Sequence, residues 1–239
     1  MRRILLFCSV CSLAFALGCN RSGQQSTNNS AETAGVSNNS TGDRSQAKVL
    51  LEQGKQLYRE DQDTKAVETF QQAIKIDPDL AEAYFRLALS YEALGKQEES
   101  EAQYKKAVDA YKKHLDNSPD DAEAHYNLGQ TYANLGNFSE AIREYRQATK
   151  LKTDDPDIYY DLGVAHTKLA QYDQAAAAFS KSLEIDPDYY RAQDALDEAR
   201  EGVKRIRAGK KHQEDLLKKQ KEEELKKAGL TVPTPTPKG

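Results

Sequence analysis

Between Ala47 and Tyr189 the apolar and small residues return in one order four times, with the copies starting at Ala47, Ala81, Ala122 and Pro156. Apolar or aromatic residues sit at positions 4, 7 and 11 of a copy and a small residue at position 8, a spacing that puts them on one face of a helix. A second face follows, with Ala66, Ser100, Ala141 and Ala175 at position 20, aromatic Phe70, Tyr104, Tyr145 and Phe179 at position 24, and Ala73, Ala107, Ala148 and Ser182 at position 27. Position 8 holds Gly54, Ala88, Gly129 and Gly163. A glycine inside a helix costs about 1 kcal/mol relative to alanine, so its recurrence predicts a close approach by another element. Asp-Pro-Asp or Ser-Pro-Asp falls between copies, at residues 77–79, 118–120, 155–157 and 186–188; proline disfavours helix in the residue before it, and aspartate can cap the helix that follows.

The pattern resembles the tetratricopeptide repeat (TPR), a 34-residue helix-turn-helix unit, over residues 47–189. The resemblance implies an all-α fold, a right-handed superhelical stack of four units (47–80, 81–121, 122–155 and 156–189). Gln53, Ser100 and His166 depart from the family's preferred residues at their positions. One unit cannot bury its apolar face alone, whereas stacked units share a core.

Two elements extend the stack. The second unit is longer by the stretch after Ala107, in which Val108, Tyr111 and Leu115 can continue the stripe begun by Tyr104. This predicts a longer second helix, with an irregular loop as the alternative. Ala192, Ala195, Leu196, Ala199, Val203 and Ile206 recur at helical spacing, which predicts a capping and charged helix over 190–228 that packs through residue 206. The remaining 229–239 are a Pro/Thr-rich tail.

In the TPR family the groove is lined by the first helix of each unit. Carried onto this chain, the resemblance implies a partner-binding groove of Leu51, Lys55, Tyr58, Phe85, Leu89, Tyr126, Gln130, Asn134, Tyr160, Val164 and Lys168. Aromatic groups with a few polar tips suit an extended peptide; the competing reading is that the aromatic rings pack against neighbouring helices. The family's clamp for a C-terminal carboxylate is not matched, since only Asn127 falls on such a position and Glu123, Asp157 and Asp161 would repel the ligand.

The chain's start changes where such a scaffold would work. Arg2 and Arg3 precede the apolar run Ile4–Leu17, too short for a membrane span and suited to an export signal over residues 1–18. Ala16-Leu17-Gly18-Cys19 resembles the bacterial lipobox, which implies acylation of Cys19 and a periplasm-facing lipoprotein anchored to a membrane of the cell envelope. Residues 20–46 are rich in Ser, Asn, Gln, Thr and Gly and read, with Cys19, as a disordered tether over 19–46.

Charge and chemistry narrow the function further. Residues 47–189 hold 17 Lys or Arg against 27 Asp or Glu, and residues 190–239 hold 13 against 9. An acidic repeat surface disfavours nucleic acid, while the basic C-terminal helix leaves open a second reading, a lipid-facing or self-associating protein. All three cysteines lie in the first 19 residues, and His114, His125, His166 and His212 are scattered without a hydrolase or metal motif. No enzyme, no metal and no cofactor are expected. The expected function is a membrane-tethered scaffold for protein–protein contacts in envelope, secretion or pilus assembly.

Overall fold

The computed structural model describes residues 39–229. They form α1 (Asn39–Arg59), α2 (Asp63–Ile76), α3 (Ala81–Ala93), α4 (Gln97–Asn117), α5 (Ala122–Asn134), α6 (Phe138–Leu151), α7 (Pro156–Lys168), α8 (Tyr172–Ile185) and α9 (Tyr190–Lys227). Consecutive helices pair as hairpins α1–α2, α3–α4, α5–α6 and α7–α8, and each hairpin packs on the next, with α9 closing the stack on α8. The expected four-unit all-α solenoid is therefore the fold.

The packing explains the small residues. A Cβ on Gly54, Gly129 or Gly163 would lie 2.5, 2.6 and 2.5 Å from the rings of Phe70, Tyr145 and Phe179, so position 8 is empty because the aromatic of position 24 rests on it. The position-20 residues Ala66, Ser100, Ala141 and Ala175 are wholly buried. Both hairpin and inter-hairpin contacts thus close on small side chains, as close helix packing requires.

The turn inside each unit is also set by one position. Asp61, Gly95, Gly136 and Ala170, all at position 15, have φ between 54° and 76°. Between units, the Asp121 side chain accepts from the Ala124 amide and caps α5, and Asp155 accepts from the Asp157 amide and caps α7. Asp77 and Asp186 instead accept from the amides of Asp79 and Asp188, holding the turns before α3 and α9.

The longer second unit is helical throughout. Its second helix, α4, has 21 residues, whereas α2, α6 and α8 each have 14. Tyr104, Ala107, Val108 and Tyr111 are buried along it and Leu115 packs at the edge of the same core, because seven residues are close to two helical turns and keep the stripe in phase.

Two boundaries differ from expectation. The first helix begins at Asn39, inside the stretch expected to be tether up to residue 46. Adding turns to a helix whose remaining length is packed avoids a new nucleation step, so the exposed polar residues 43–46 can join it. In α9, Ala192, Leu196, Ala199 and Gly202 are buried, but Ile206 is 40% exposed. Gly202 lies against Tyr172, the first residue of α8, and beyond it the last side-chain contact of α9 with α8 among the described residues is the exposed pair Arg207–Asp173 at 3.3 Å. Among the described residues no helix is long and apolar enough to cross a membrane. The expected signal 1–18, Cys19, the first part of the tether and the tail from 230 onward lie outside the described residues.

Candidate functional site

The first helices of successive units lie side by side, α1 against α3, α5 against α7 and α7 against α9. Their shared face carries the residues expected to bind a partner, and it sorts them into three groups.

The first group is structural. Leu51 and Phe85 are 5% and 3% exposed and belong to the core. Each position-5 aromatic packs on the position-24 aromatic of its own unit: the Phe85–Tyr104, Tyr126–Tyr145 and Tyr160–Phe179 centroids are 5.9, 5.9 and 5.7 Å apart in tilted geometry. These rings therefore spend one face on the hairpin. Tyr160 is further covered by the edge of Tyr189 at 5.4 Å and by the Arg191 guanidinium 4.7 Å from its ring centroid, so the start of α9 closes that end of the face. Tyr58 is half-buried against the first core, and burial pushes its hydroxyl pKa up.

The second group is engaged in ion pairs. Lys55 meets Glu52 at 2.8 Å and Glu82 at 3.1 Å. Burial alone would lower its pKa, but the two carboxylates outweigh it and hold the ammonium above its ordinary range.

The third group forms a cleft. Leu89, Gln130, Asn134 and Val164, with Phe85 at its base, line a cleft of 370 Å³ between α3, α5 and α7. Lys168 is exposed but lies outside it. One wall is a polar network that joins two of the expected residues to Asp161, which was not among them: the Tyr126 hydroxyl donates to Asp161 Oδ2 at 2.9 Å, and the Gln130 amide donates to the Tyr126 hydroxyl at 2.8 Å and to Asp161 at 3.3 Å. Burial raises the Asp161 pKa against the opposing pull of these two donors. An aspartate next to a half-buried tyrosine one unit earlier is visible in the sequence only once the unit-to-unit register is known. Arg86 and Phe138 complete the cleft and were likewise not expected there.

Two of the histidines, His125 and His166, are held by hydrogen-bond contacts within the repeats. His125 Nδ1 lies 2.8 Å from buried Glu144, and its Nε2 lies 3.0 Å from the Pro119 carbonyl. His166, 3% exposed, has Nδ1 2.7 Å from the Gln171 side chain. Among the described residues no group of three or more His, Cys, Asp or Glu side chains is placed to hold a metal ion. The cleft offers apolar contact, hydrogen bonds and one carboxylate, which is the equipment of a binding surface.

Stacked helical hairpins with a cleft across their first helices define a protein-interaction scaffold. The chain belongs to the tetratricopeptide repeat family, whose models match residues 54–95, 79–154 and 126–190. Among solved structures it is similar to a MamA protein at 25% identity with a TM-score of 0.51, the match covering 81% of this chain and all of the other. A second MamA structure matches at 26% identity and TM-score 0.49 over 72% of this chain and 96% of its own. The first TPR of Spaghetti (RPAP3), bound to an HSP90 peptide, matches at 23% identity and TM-score 0.43 over 52% of this chain and 92% of its own. No curated protein matches the chain.

Proposed function

We propose that the protein is an exported, membrane-tethered scaffold without catalytic activity that holds a partner protein by an extended segment laid in the cleft between α3, α5 and α7. The observation that carries this reading is the cleft itself, in which half-buried Leu89 and Val164 provide apolar contact and exposed Asn134 a hydrogen-bonding tip. An export signal over 1–18 and an acylated Cys19 would place the scaffold on the periplasmic side of an envelope membrane, where it would serve assembly or secretion machinery. Acyl chains contribute about 0.8 kcal/mol per buried methylene, so several chains on one cysteine hold a protein at a bilayer.

The test is capture from envelope extract with residues 20–239 as bait, beside a variant carrying Leu89→Ser, Gln130→Ala and Asn134→Ala. These positions spare the position-5 rings, whose removal would open the core. A partner kept by the wild type and lost by the variant, with both baits equally helical, supports the cleft. Identical captures reject it and turn attention to the basic, exposed half of α9. The anchor is tested separately: Cys19→Ser should release the full chain from membranes into the soluble fraction, and retention on the membrane would reject acylation there.

A further inference from the structure

The distal part of α9 carries its charges sorted by face. Every side chain from Lys204 to Glu224 is exposed, and the pair Arg207–Asp173 is the last side-chain contact with α8 among the described residues. At 3.6 residues per turn, Lys204, Arg205, Lys211, Asp215, Lys218 and Lys219 fall on one side, together with Ala208 and His212. That side holds five Lys or Arg and one carboxylate. Between residues 206 and 220 the opposite third holds Ile206, Gly209, Gln213, Leu216, Leu217 and Gln220, with Lys210 as its single charge. This uncharged stripe continues the face through which Ala192, Ala199 and Gly202 are buried, so the cationic side is the one turned away from α8. Glu214 lies between the two, in line with Arg207.

The strip has definite ends. Nearer the stack the same side turns acidic, with Asp194, Asp197 and Glu201 against Arg200. Beyond Lys219 the signs return to balance, with three Lys and three Glu over 220–227. The ion pairs of α9 engage Arg200, Lys204 and Arg207, which leaves Arg205, Lys211, Lys218 and Lys219 without one among the described residues. A surface that needs only solubility intersperses the two signs. Segregation of cations to one side calls for an anionic counterpart.

We propose that the cationic side of α9 between Lys204 and Lys219 docks on an anionic phospholipid bilayer. Each Lys or Arg held at such a surface strengthens binding about fivefold, with no fixed register to satisfy. A second copy of the chain fits less well: a coiled coil needs apolar residues at alternating three- and four-residue steps, and the uncharged stripe offers Gly209, Gln213 and Gln220 there. A bilayer reaches the cationic side because that side looks away from α8; the uncharged stripe lies on the side the hairpins occupy. The repeats, with 27 Asp or Glu against 17 Lys or Arg, are repelled by the same lipid, so the arm meets the bilayer while the stack is held off it. This contact is independent of the anchor proposed at Cys19 and adds a second, salt-sensitive hold.

The experiment sediments residues 20–239, which hold every described helix and no acyl group, with vesicles of equal parts phosphatidylglycerol and phosphatidylcholine, and with vesicles of phosphatidylcholine alone. At about 0.1 M salt the protein should sediment with the anionic vesicles only, and about 1 M salt should release it. The triple variant Arg205→Gln, Lys211→Gln and Lys218→Gln should bind roughly a hundredfold more weakly, three steps of about fivefold each. Glutamine keeps the helix propensity of the residues it replaces, so circular dichroism should match the wild type. Lys65→Gln, Lys75→Gln and Lys106→Gln together change the net charge equally at exposed sites on α2 and α4 and should leave binding intact. Leu216→Ser with Leu217→Ser should also leave it intact, since the uncharged stripe faces away from the lipid. Equal sedimentation with both vesicles, sedimentation with neither, or equal losses in the two triple variants overturns the proposal. So does a vesicle-free dimer that the α9 variant dissolves, which assigns the strip to a second copy. Membranes washed at about 1 M salt lose this contact and keep an acylated chain, so the Cys19 anchor and the α9 contact fail separately.

Discussion

The second and third units solve one packing problem with different residues. Both place a tyrosine at position 24, Tyr104 and Tyr145, and in both the ring centroid stands 5.9 Å from the aromatic at position 5. Position 8 differs. The second unit accommodates the methyl of Ala88, buried completely, whereas in the third a Cβ on Gly129 would come within 2.6 Å of the Tyr145 ring. The polar tips differ as well: the Tyr104 hydroxyl donates to Glu92 within its own unit at 2.9 Å, while in the third unit it is Tyr126 that reaches forward to Asp161 of the fourth. The lesson is that a repeat position specifies volume shared between two residues. A larger residue at one member of the pair is tolerated where the ring has settled elsewhere.

That comparison makes a reciprocal prediction with the largest effect. Gly129→Ala should destabilise the protein by about 1–3 kcal/mol, the usual cost of overpacking, because the added Cβ would lie 2.6 Å from the ring of Tyr145, which is 2% exposed. Ala88→Gly should cost about 0.5–1 kcal/mol through helix entropy, and about 0.8 kcal/mol more through the loss of its buried methyl. Urea unfolding of the two variants measures both. A Gly129→Ala variant as stable as wild type would show that the ring shifts freely and that the two units are equivalent.

Position 15 extends the comparison to the fourth unit. Gly136 turns the third hairpin at φ 76°, and Ala170 turns the fourth at φ 54°, a region that costs a residue with a Cβ roughly 1–2 kcal/mol. Ala170→Gly should recover about 1 kcal/mol of stability, less the added flexibility of the unfolded chain. A thermal melt that does not rise would mean that the alanine turn is held without strain.

Much of this fold is readable from residues alone. The repeat spacing determines the hairpins, and the in-phase placement of Val108, Tyr111 and Leu115 shows why the longer second unit is helix. What the pattern does not contain is the identity of the opposing surface. Ile206 fits the apolar stripe of α9 as well as Ala199 does, but α8 begins at Tyr172 and leaves Ile206 uncovered. Gly202, which does pack there, carries no hydrophobic signal. The surroundings of the expected groove residues are legible to a lesser degree for the same reason. Position 5 lies on the first helix of each unit, yet Leu51 and Phe85 are consumed by the core, and Asp161 enters the cleft wall through contacts with the preceding unit.

The smallest expected effect concerns position 11, where the third unit has Tyr132 and the fourth has His166. Both are buried, at 5% and 3% exposure. Burial holds the His166 pKa below its ordinary value, the neighbouring Arg146 lowers it further, and the bond to Gln171 opposes them without prevailing. A depressed pKa in the folded state means that the unfolded chain takes up the proton first. The contribution of neutral His166 to stability is therefore complete above the ordinary histidine pKa and is lost as pH falls through the lower folded value. Unfolding measured at about pH 7.5 and about pH 5.5 brackets the ordinary histidine range, and the protein should be less stable at the lower pH. His166→Leu, which installs the residue type that the first unit carries at Leu57, should narrow that difference while altering the stability at the higher pH by a separate packing effect. An undiminished acid loss in the variant would assign the sensitivity to other titrating groups and would make the third and fourth units alike in their response to protons.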